Sequence, residues 1–134
     1  MDLLLDTHIL IWSLNDDDRL PKKAKDLILD EKNTIYYSSV SVWEISIKHM
    51  SHPDNVAFTG EEFAAFCEEA GFYPIDMKEK HVFSLETLNR SDKSPPHNDP
   101  FDRMLVAQAK AEDMYFITHD SLIPYYNEKC IVKV

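Results

Sequence analysis

Short apolar runs alternate with segments of helical periodicity along the whole chain. The run "LLL" at residues 3–5 is continuous, which is typical of a strand buried on both faces. The segments "TIYYSS" at 34–39 and "YFIT" at 115–118 are rich in β-branched and aromatic residues, which favour strands. "FYPI" at 72–75 predicts a strand or an extended connection, and "CIVKV" at 130–134 predicts a final strand.

The segments between the strands predict helices. Residues 7–14 form the first, and Pro21 suits the first turn of a second, whose apolar face holds Ala24, Leu27 and Ile28. A third helix is predicted from about Ser41, and residues 101–112 form the last. The stretch "NRSDKSPPHNDP" before that last helix is a loop by composition.

Two further helices are predicted in the middle of the chain. Thr59 and Glu62 have the spacing of a capping box, and Gly71 is a typical helix end. The side chains predicted to face inward from this fourth helix are Phe63, Phe66 and Ala70. A fifth helix is marked by the apolar positions Val82, Leu85 and Leu88.

The alternation of strand and helix predicts an α/β fold, a three-layer α/β/α sandwich with a mostly parallel central sheet. Residues 3–5, 34–38 and 115–118 are expected to be its adjacent central strands. The 134 residues suit one domain spanning 1–134. In such folds the ligand crevice lies beyond the carboxyl ends of the strands.

Composition narrows the possible functions. Only 2 glycines are present, so the glycine-rich phosphate-binding loops are excluded. A net charge of −10 argues against simple electrostatic wrapping of nucleic acid. No apolar run is long enough to span a membrane, and Asp2 and Asp6 replace the basic start of a signal peptide, which predicts a cytoplasmic protein. Cys67 and Cys130 form neither a disulfide framework nor a metal-site spacing, and Cys67 is expected to be a buried thiol.

Carboxylates follow several of the predicted strands. Asp6 comes directly after the first strand, Asp120 comes two residues after "YFIT", and Glu44 is expected in the first turn of the third helix. Asp99 and Asp102 open the sixth helix. All five are therefore predicted at one edge of the sheet. Helix capping is an alternative for Asp6, Asp99 and Asp102, and a plain turn is an alternative for Asp120. Glu44 is harder to explain in this way, because it lies between apolar residues and a buried carboxylate needs a partner.

Crowded carboxylates repel one another unless cations lie among them. Oxygen ligands without cysteine or paired histidine select Mg²⁺ or Mn²⁺ over Zn²⁺. The six histidines lie singly on different elements and are interpreted mainly as surface or supporting residues. A carboxylate-bound Mg²⁺ suits phosphodiester hydrolysis by an activated water.

Four segments together resemble the PIN-domain ribonucleases, specifically the VapC-type toxins of bacterial toxin–antitoxin systems. They are "LLLDTHILIWSL", "YYSSVSVWEISIKH", "DPFDRMLVAQA" and "FITHDSLIPYY", and they span nearly the whole chain. The resemblance implies Mg²⁺-dependent endoribonuclease activity, a homodimer, and inhibition by a cognate antitoxin whose basic segment occupies the acidic groove. The catalytic metal ligands that it implies are Asp6, Glu44, Asp102 and Asp120.

The same resemblance implies lesser roles for Asp99 and Thr118, and binding of RNA calls for basic side chains near the same edge. Asp99 is an accessory metal ligand or only the helix cap, and Thr118 supplies a hydroxyl near the metal. Arg103 is a candidate cation for RNA, together with Lys48, Arg90 and Lys93. A solvated helix residue or an ion-pair partner of a nearby carboxylate remains an alternative for Arg103.

Three other functions remain as alternatives. A phosphatase of the haloacid-dehalogenase type would need a second aspartate at the position of His8. A phospho-receiver module would need a lysine after the late strand, where "THD" has none. A degenerate PIN module used only for protein binding would not need to retain all four acidic positions.

Overall fold

The computed structural model describes all 134 residues, and five strands form one parallel sheet. The strand order is β3-β2-β1-β4-β5, and every neighbouring pair is parallel. The three strands predicted to be central and adjacent are therefore confirmed as β2, β1 and β4. The strand bounds are β1 Asp2–Leu5, β2 Thr34–Ser38, β3 Tyr73–Ile75, β4 Tyr115–Thr118 and β5 Ile131–Lys133.

Six helices connect the strands, as parallel pairing requires. A short 3₁₀ helix, which no pattern in the sequence predicted, precedes the last strand at Ile123–Tyr125. None of the helices combines the length and the apolar character that a bilayer crossing demands. The helix bounds are α1 Thr7–Leu14, α2 Lys22–Leu29, α3 Ser39–Ser51, α4 Gly60–Glu69, α5 Glu79–Leu85 and α6 Pro100–Glu112.

The continuous apolar run of β1 is buried because helices cover both faces of the sheet. Leu3 and Leu5 belong to one core cluster with residues of α1, α2 and α4, whereas Leu4 belongs to a second cluster with residues of α6. All three leucines are no more than 1% exposed. Successive side chains of a strand point to opposite faces, so a run without polar residues has to be covered on both sides. The α/β/α layering follows from this pattern.

The strand order reverses at β1. From this strand the chain builds outward through β2 to β3, and it later crosses back to add β4 and then β5 on the other side. Such a reversal leaves a crevice at the carboxyl ends of the two strands that flank it, here β1 and β4. Asp6 follows β1 and Asp120 lies two residues beyond β4, so both lie at this crevice.

Helix α4 presents a different face to the core from the one predicted. Its capping box between Thr59 and Glu62 is confirmed, and Gly71 follows its end with φ of +86°. Phe63 and Cys67 are completely buried, but Phe66 is 41% exposed and Ala70 is also exposed. The inward-facing positions are therefore residues 63 and 67, four apart. The prediction that Phe66 and Ala70 face inward was wrong. Three- and four-residue spacings both continue a helix face, and the docking of the helix chose between them.

Smaller corrections concern helix ends. Pro21 is the N-cap of α2 and not a member of its first turn. Helix α3 begins at Ser39, so Glu44 lies in its second turn and not in its first.

The buried thiol of Cys67 is confirmed, and burial raises its pKa to about 12.

The two phenylalanines of α4 provide a test of this facing. Phe63→Ala should lower the free energy of unfolding by about 3–5 kcal/mol, because it leaves a cavity in the core. Phe66→Ala, the matched control from the next turn, should lower it by about 1 kcal/mol or less, because the ring is already partly in water. Urea denaturation followed by circular dichroism measures both values. Equal losses for the two variants would contradict the facing described here.

Candidate active site

Asp6 is the most constrained carboxylate of the site. It is only 4% exposed and caps helix α1, because its Oδ1 accepts a hydrogen bond from the Thr7 N–H at 2.8 Å. Its Oδ2 accepts a second hydrogen bond from the Thr118 hydroxyl at 2.7 Å. Burial raises the pKa of Asp6 to about 6, although these two hydrogen bonds act in the opposite direction. The negative charges of Glu44 and Asp120 add to the rise.

Glu44 reaches the same region through a chain of buried hydroxyls. The Thr7 hydroxyl donates to Glu44 Oε1 at 2.8 Å and lies 2.8 Å from the Ser41 hydroxyl. Because Thr7 has one hydroxyl proton and gives it to the carboxylate, Ser41 must donate to Thr7. Lys48, one helical turn beyond Glu44, places its Nζ 2.6 Å from Oε2. Glu44 is 3% exposed, so this ion pair supplies the partner that a buried carboxylate requires.

Thr118 links Asp6 to Asp120. Its hydroxyl donates to Asp6 and accepts from the Asp120 N–H at 3.0 Å. The Asp120 carboxylate then accepts hydrogen bonds from the N–H groups of Leu122 and Ile123, at 2.7 and 3.2 Å. Asp120 therefore organises a turn, which was the alternative role considered for it from the sequence. It also lies beside the other acids.

Asp99 and Asp102 occupy different positions at the start of α6. Asp99 is exposed and is the N-cap, accepting from the N–H groups of Phe101 and Asp102 at 2.9 and 3.1 Å. Asp102 is half-buried, and its Oδ2 lies 3.3 Å from His97 Nε2. Burial, and after it the charges of the neighbouring acids with Asp6 first, together raise the pKa of Asp102 to about 8.

Tyr126 and two arginines surround His97. The Tyr126 hydroxyl lies 2.9 Å from His97 Nδ1, and the ring of Tyr126 also lies 5.1 Å beneath the Arg90 guanidinium. Arg90 Nε is buried without a hydrogen-bond partner. Arg103 lies beside the Tyr126 hydroxyl and helps to limit the rise in its pKa that burial causes. Arg103 forms no ion pair with a carboxylate, so that alternative is wrong.

The five acids thus share one end of the sheet, but they are not drawn together into a tight cluster. Asp6 and Asp120 line the same cleft, while Glu44 and Asp102 act on Asp6 or on each other through their charges. No group of three or more His, Cys, Asp or Glu side chains is close enough to form a metal site as placed.

The donor set nevertheless suits a hard divalent cation. All the candidate ligands are carboxylate oxygens, and the pKa values of Asp6 and Asp102 are raised toward or beyond neutrality. A raised pKa means that the anionic form is costly where it stands, and a cation would offset that cost. Lys48 is the one cation that pairs directly with any of these acids, and it pairs with Glu44 alone.

Sequence comparison identifies the family. The model of the PIN domain matches residues 3–128. The chain belongs to the PIN domain family. A comparison with curated proteins finds no match.

Solved structures agree with the fold of this PIN domain. One of them is the crystal structure of VapBC2 from Rickettsia felis bound to a DNA fragment from their promoter. Its matching chain is 18% identical, the match covers 99% of this chain and 98% of that one, and the TM-score is 0.70. At this identity the likeness establishes the fold, and it confirms the PIN-like α/β architecture expected from the sequence.

Several residues of the site in this PIN domain were not singled out from the sequence. Thr7 comes directly after Asp6, and Ser41 comes shortly before Glu44. No sequence pattern indicated that the hydroxyls of Thr7 and Ser41 are in contact. His97 was interpreted with the other histidines as a surface or supporting residue, and its contact with Asp102 makes it a supporting one. Lys48 was singled out as a candidate cation for RNA, but its pairing with Glu44 was not predicted, although a lysine four residues after a glutamate is positioned to pair with it on a helix.

The raised pKa of Asp102 predicts how the stability of the metal-free protein depends on pH. A carboxyl that binds its proton more tightly in the folded state favours folding at low pH, and this contribution is lost as pH rises toward the folded pKa. In EDTA, the wild type should therefore lose stability between about pH 5 and pH 8. Asp102→Asn should reduce that loss by about 1 kcal/mol or more. Urea denaturation at the two pH values measures it.

Asp92→Asn is the matched control for this pH experiment. Asp92 is an exposed acid of the loop that precedes α6, so its substitution should leave the pH dependence as in the wild type. Identical slopes for wild type and Asp102→Asn would mean that Asp102 ionises freely and is not part of a charged cluster.

Proposed function

We propose that this PIN domain is a Mg²⁺- or Mn²⁺-dependent endoribonuclease that hydrolyses RNA phosphodiester bonds. The observation that carries the proposal is the linkage of acids from separate elements around Asp6. Thr118 joins it to Asp120, and Thr7 extends the network to Glu44, at the crevice where the strand order reverses. Membership of a family whose members are generally nucleases supports the assignment.

The residues proposed to hold the metal are Asp6, Glu44, Asp102 and Asp120. When bound, the ion neutralises phosphate charge and activates a water for attack. The Thr7 and Thr118 hydroxyls fix the orientation of the carboxylates, because each donates its proton to an oxygen of Glu44 or Asp6. Lys48 holds the second oxygen of Glu44.

Asp99, Thr118 and Arg103 have supporting roles in this proposal. Asp99 Oδ1 accepts two backbone N–H groups, so an accessory metal role would fall to its other oxygen. Thr118 holds Asp6 and Asp120 beside each other through its two hydrogen bonds. Arg103 lies in the first turn of α6 next to Asp102 and is a cation available for the RNA backbone.

We further propose that the enzyme is the toxin of a toxin–antitoxin module and acts in the cytoplasm as a homodimer. The likeness in fold to a chain of the VapBC2 assembly supports this. In the proposed mode of inhibition, a basic segment of the antitoxin places an arginine among the carboxylates. Arginine suits this because its planar fork bridges two carboxylates. Analytical ultracentrifugation tests the homodimer.

The catalytic role of Asp6 is tested by Asp6→Asn. The amide keeps the size of the side chain but removes a ligand charge, so RNA cleavage should fall by at least about 100-fold. Cleavage is measured by mapping new 5′ ends in total RNA with Mg²⁺, and with EDTA as the metal-free arm. The folded fraction, followed by circular dichroism, should change little, since the amide loses one of the two accepted hydrogen bonds but also removes one of several repelling charges. Wild-type activity in the folded variant, with Asp92→Asn as control, would refute the assignment.

Inhibition through the acidic groove predicts competition between antitoxin and metal. Binding of an arginine-containing basic peptide should weaken as Mg²⁺ rises, more than it weakens at matched ionic strength in KCl. Isothermal titration calorimetry in the two salts measures the difference. Equal effects of Mg²⁺ and inert salt would place the inhibitory contact elsewhere.

A further inference from the structure

An aromatic cleft adjoins the proposed catalytic carboxylates. Its lining consists of Asp6, His8, Trp12, His119 and Asp120. The Trp12 ring neighbours both imidazoles, with its centroid 5.9 Å from that of His8 and 5.9 Å from that of His119, and neither imidazole is stacked face to face on it. Both histidines are exposed, whereas Trp12 is half-buried and packs against the core cluster that includes Leu3 and Leu5. Packing on one side and exposure to the cleft on the other give a fixed aromatic surface.

The sequence positions of these rings tie them to the carboxylates. His8 and Trp12 are four residues apart on α1 and therefore share one face of the helix that Asp6 caps. His119 immediately precedes Asp120. The two elements that present the acids thus present the three rings as well, so any group seated in the cleft lies against both.

We propose that this cleft binds one unpaired base of the RNA, stacked on Trp12 between His8 and His119, next to the phosphate at the carboxylates. The inference rests on the proposed ribonuclease function and adds a base-binding subsite to it. Bases are recognised by stacking on aromatic side chains where RNA is single-stranded, because bases in a duplex are already stacked. The substrate class is therefore unpaired RNA.

The size and charge of the cleft favour a single base. Its volume is about 230 Å³, below the range typical of pockets for drug-sized ligands. The Arg19 guanidinium lies over the Trp12 ring, 5.7 Å from its centroid, and is also bound to Asp17 at 2.7 Å, so a base stacked on that face would displace it. A paired arginine adds little net attraction for phosphate, so recognition at this point falls mainly to the rings.

A stacking subsite also resolves a conflict between charge and substrate. A chain with a net charge of −10 gains little from long-range attraction to RNA. Stacking on an aromatic ring does not depend on net charge and tolerates different bases, since every base has a π-face. Removing one such contact typically weakens binding about 5- to 150-fold.

Fluorescence of Trp12 tests the subsite directly. The chain has two tryptophans, so Trp43→Phe leaves Trp12 as the only one. Two probes are titrated, a hexamer of oligoadenylate and an abasic hexamer with the same phosphates. Ca²⁺ replaces Mg²⁺ in these titrations, and a gel checks that both probes stay intact. We expect saturable quenching by oligoadenylate and binding at least about 5-fold tighter than that of the abasic probe. Equal affinities with no change in Trp12 emission would overturn the proposal.

Kinetics with Mg²⁺ and a single-stranded RNA provide the second arm. Trp12→Leu should raise KM at least about 5-fold with kcat little changed, and Trp12→Phe should restore much of the loss. Tyr73→Leu is the control, because Tyr73 is 59% exposed on the edge strand β3, which does not line the cleft. His8→Ala should also raise KM. Because His8 is exposed, this variant should fold, and it tests the subsite even if Trp12→Leu does not fold.

The two arms separate failure of the subsite from failure of the proposed function. If the wild type cleaves RNA and neither the Trp12 variants nor His8→Ala change KM, the subsite is wrong and the ribonuclease stands. If the wild type cleaves no RNA, the ribonuclease is wrong, and the fluorescence titration alone decides whether a base binds at Trp12.

Discussion

Burial of the Asp6 carboxylate at the reversal of strand order is the constraint on which the site depends. The parallel sheet brings the ends of β1 and β4 side by side, and helix α1 begins at once, so the side chain of Asp6 has almost no access to water. An ionised group in that position needs hydrogen bonds or a counter-charge. Both of its oxygens accept hydrogen bonds, from the Thr7 N–H and from the Thr118 hydroxyl. The same two residues extend the network, Thr118 to Asp120 and Thr7 to Glu44.

The protein stabilises most of these acids with neutral donors and not with cations. Hydroxyl groups of Thr7, Ser41 and Thr118 form the links, Lys48 pairs with Glu44, and His97 contacts Asp102. Neutral donors orient a carboxylate without cancelling its charge, so the crevice stays electronegative. That retained charge is what a divalent cation, or an arginine of a partner protein, would recognise under the proposed function.

The proposed function requires an acidic chain to bind a polyanion. Electrostatics alone oppose this, and they do so over distances of about 10 Å at ordinary ionic strength. Under the two proposals, two short-range features of the crevice would act against that repulsion: a metal ion held by the carboxylates, and the aromatic cleft beside them. Trp12 and His119 belong to the same two elements as Asp6 and Asp120, so a metal-bound phosphate and a stacked base would be neighbours. Recognition would then be strongest at one nucleotide and weak along the rest of the strand.

The sequence by itself determined the five strands and six helices, apart from some of their ends, the parallel sheet and the edge at which the acids lie. These features depend on local periodicity, caps and strand ends, as in the Thr59–Glu62 capping box and the placement of Asp6 after "LLL". Only the tertiary structure decided that Phe66 faces water, that Thr7 meets Glu44, and that His97 contacts Asp102. Each of these depends on how a helix or loop is rotated and seated against its neighbours. Local spacing leaves that rotation open, because residues three and four apart share a helix face equally well, and docking of the whole element fixes it.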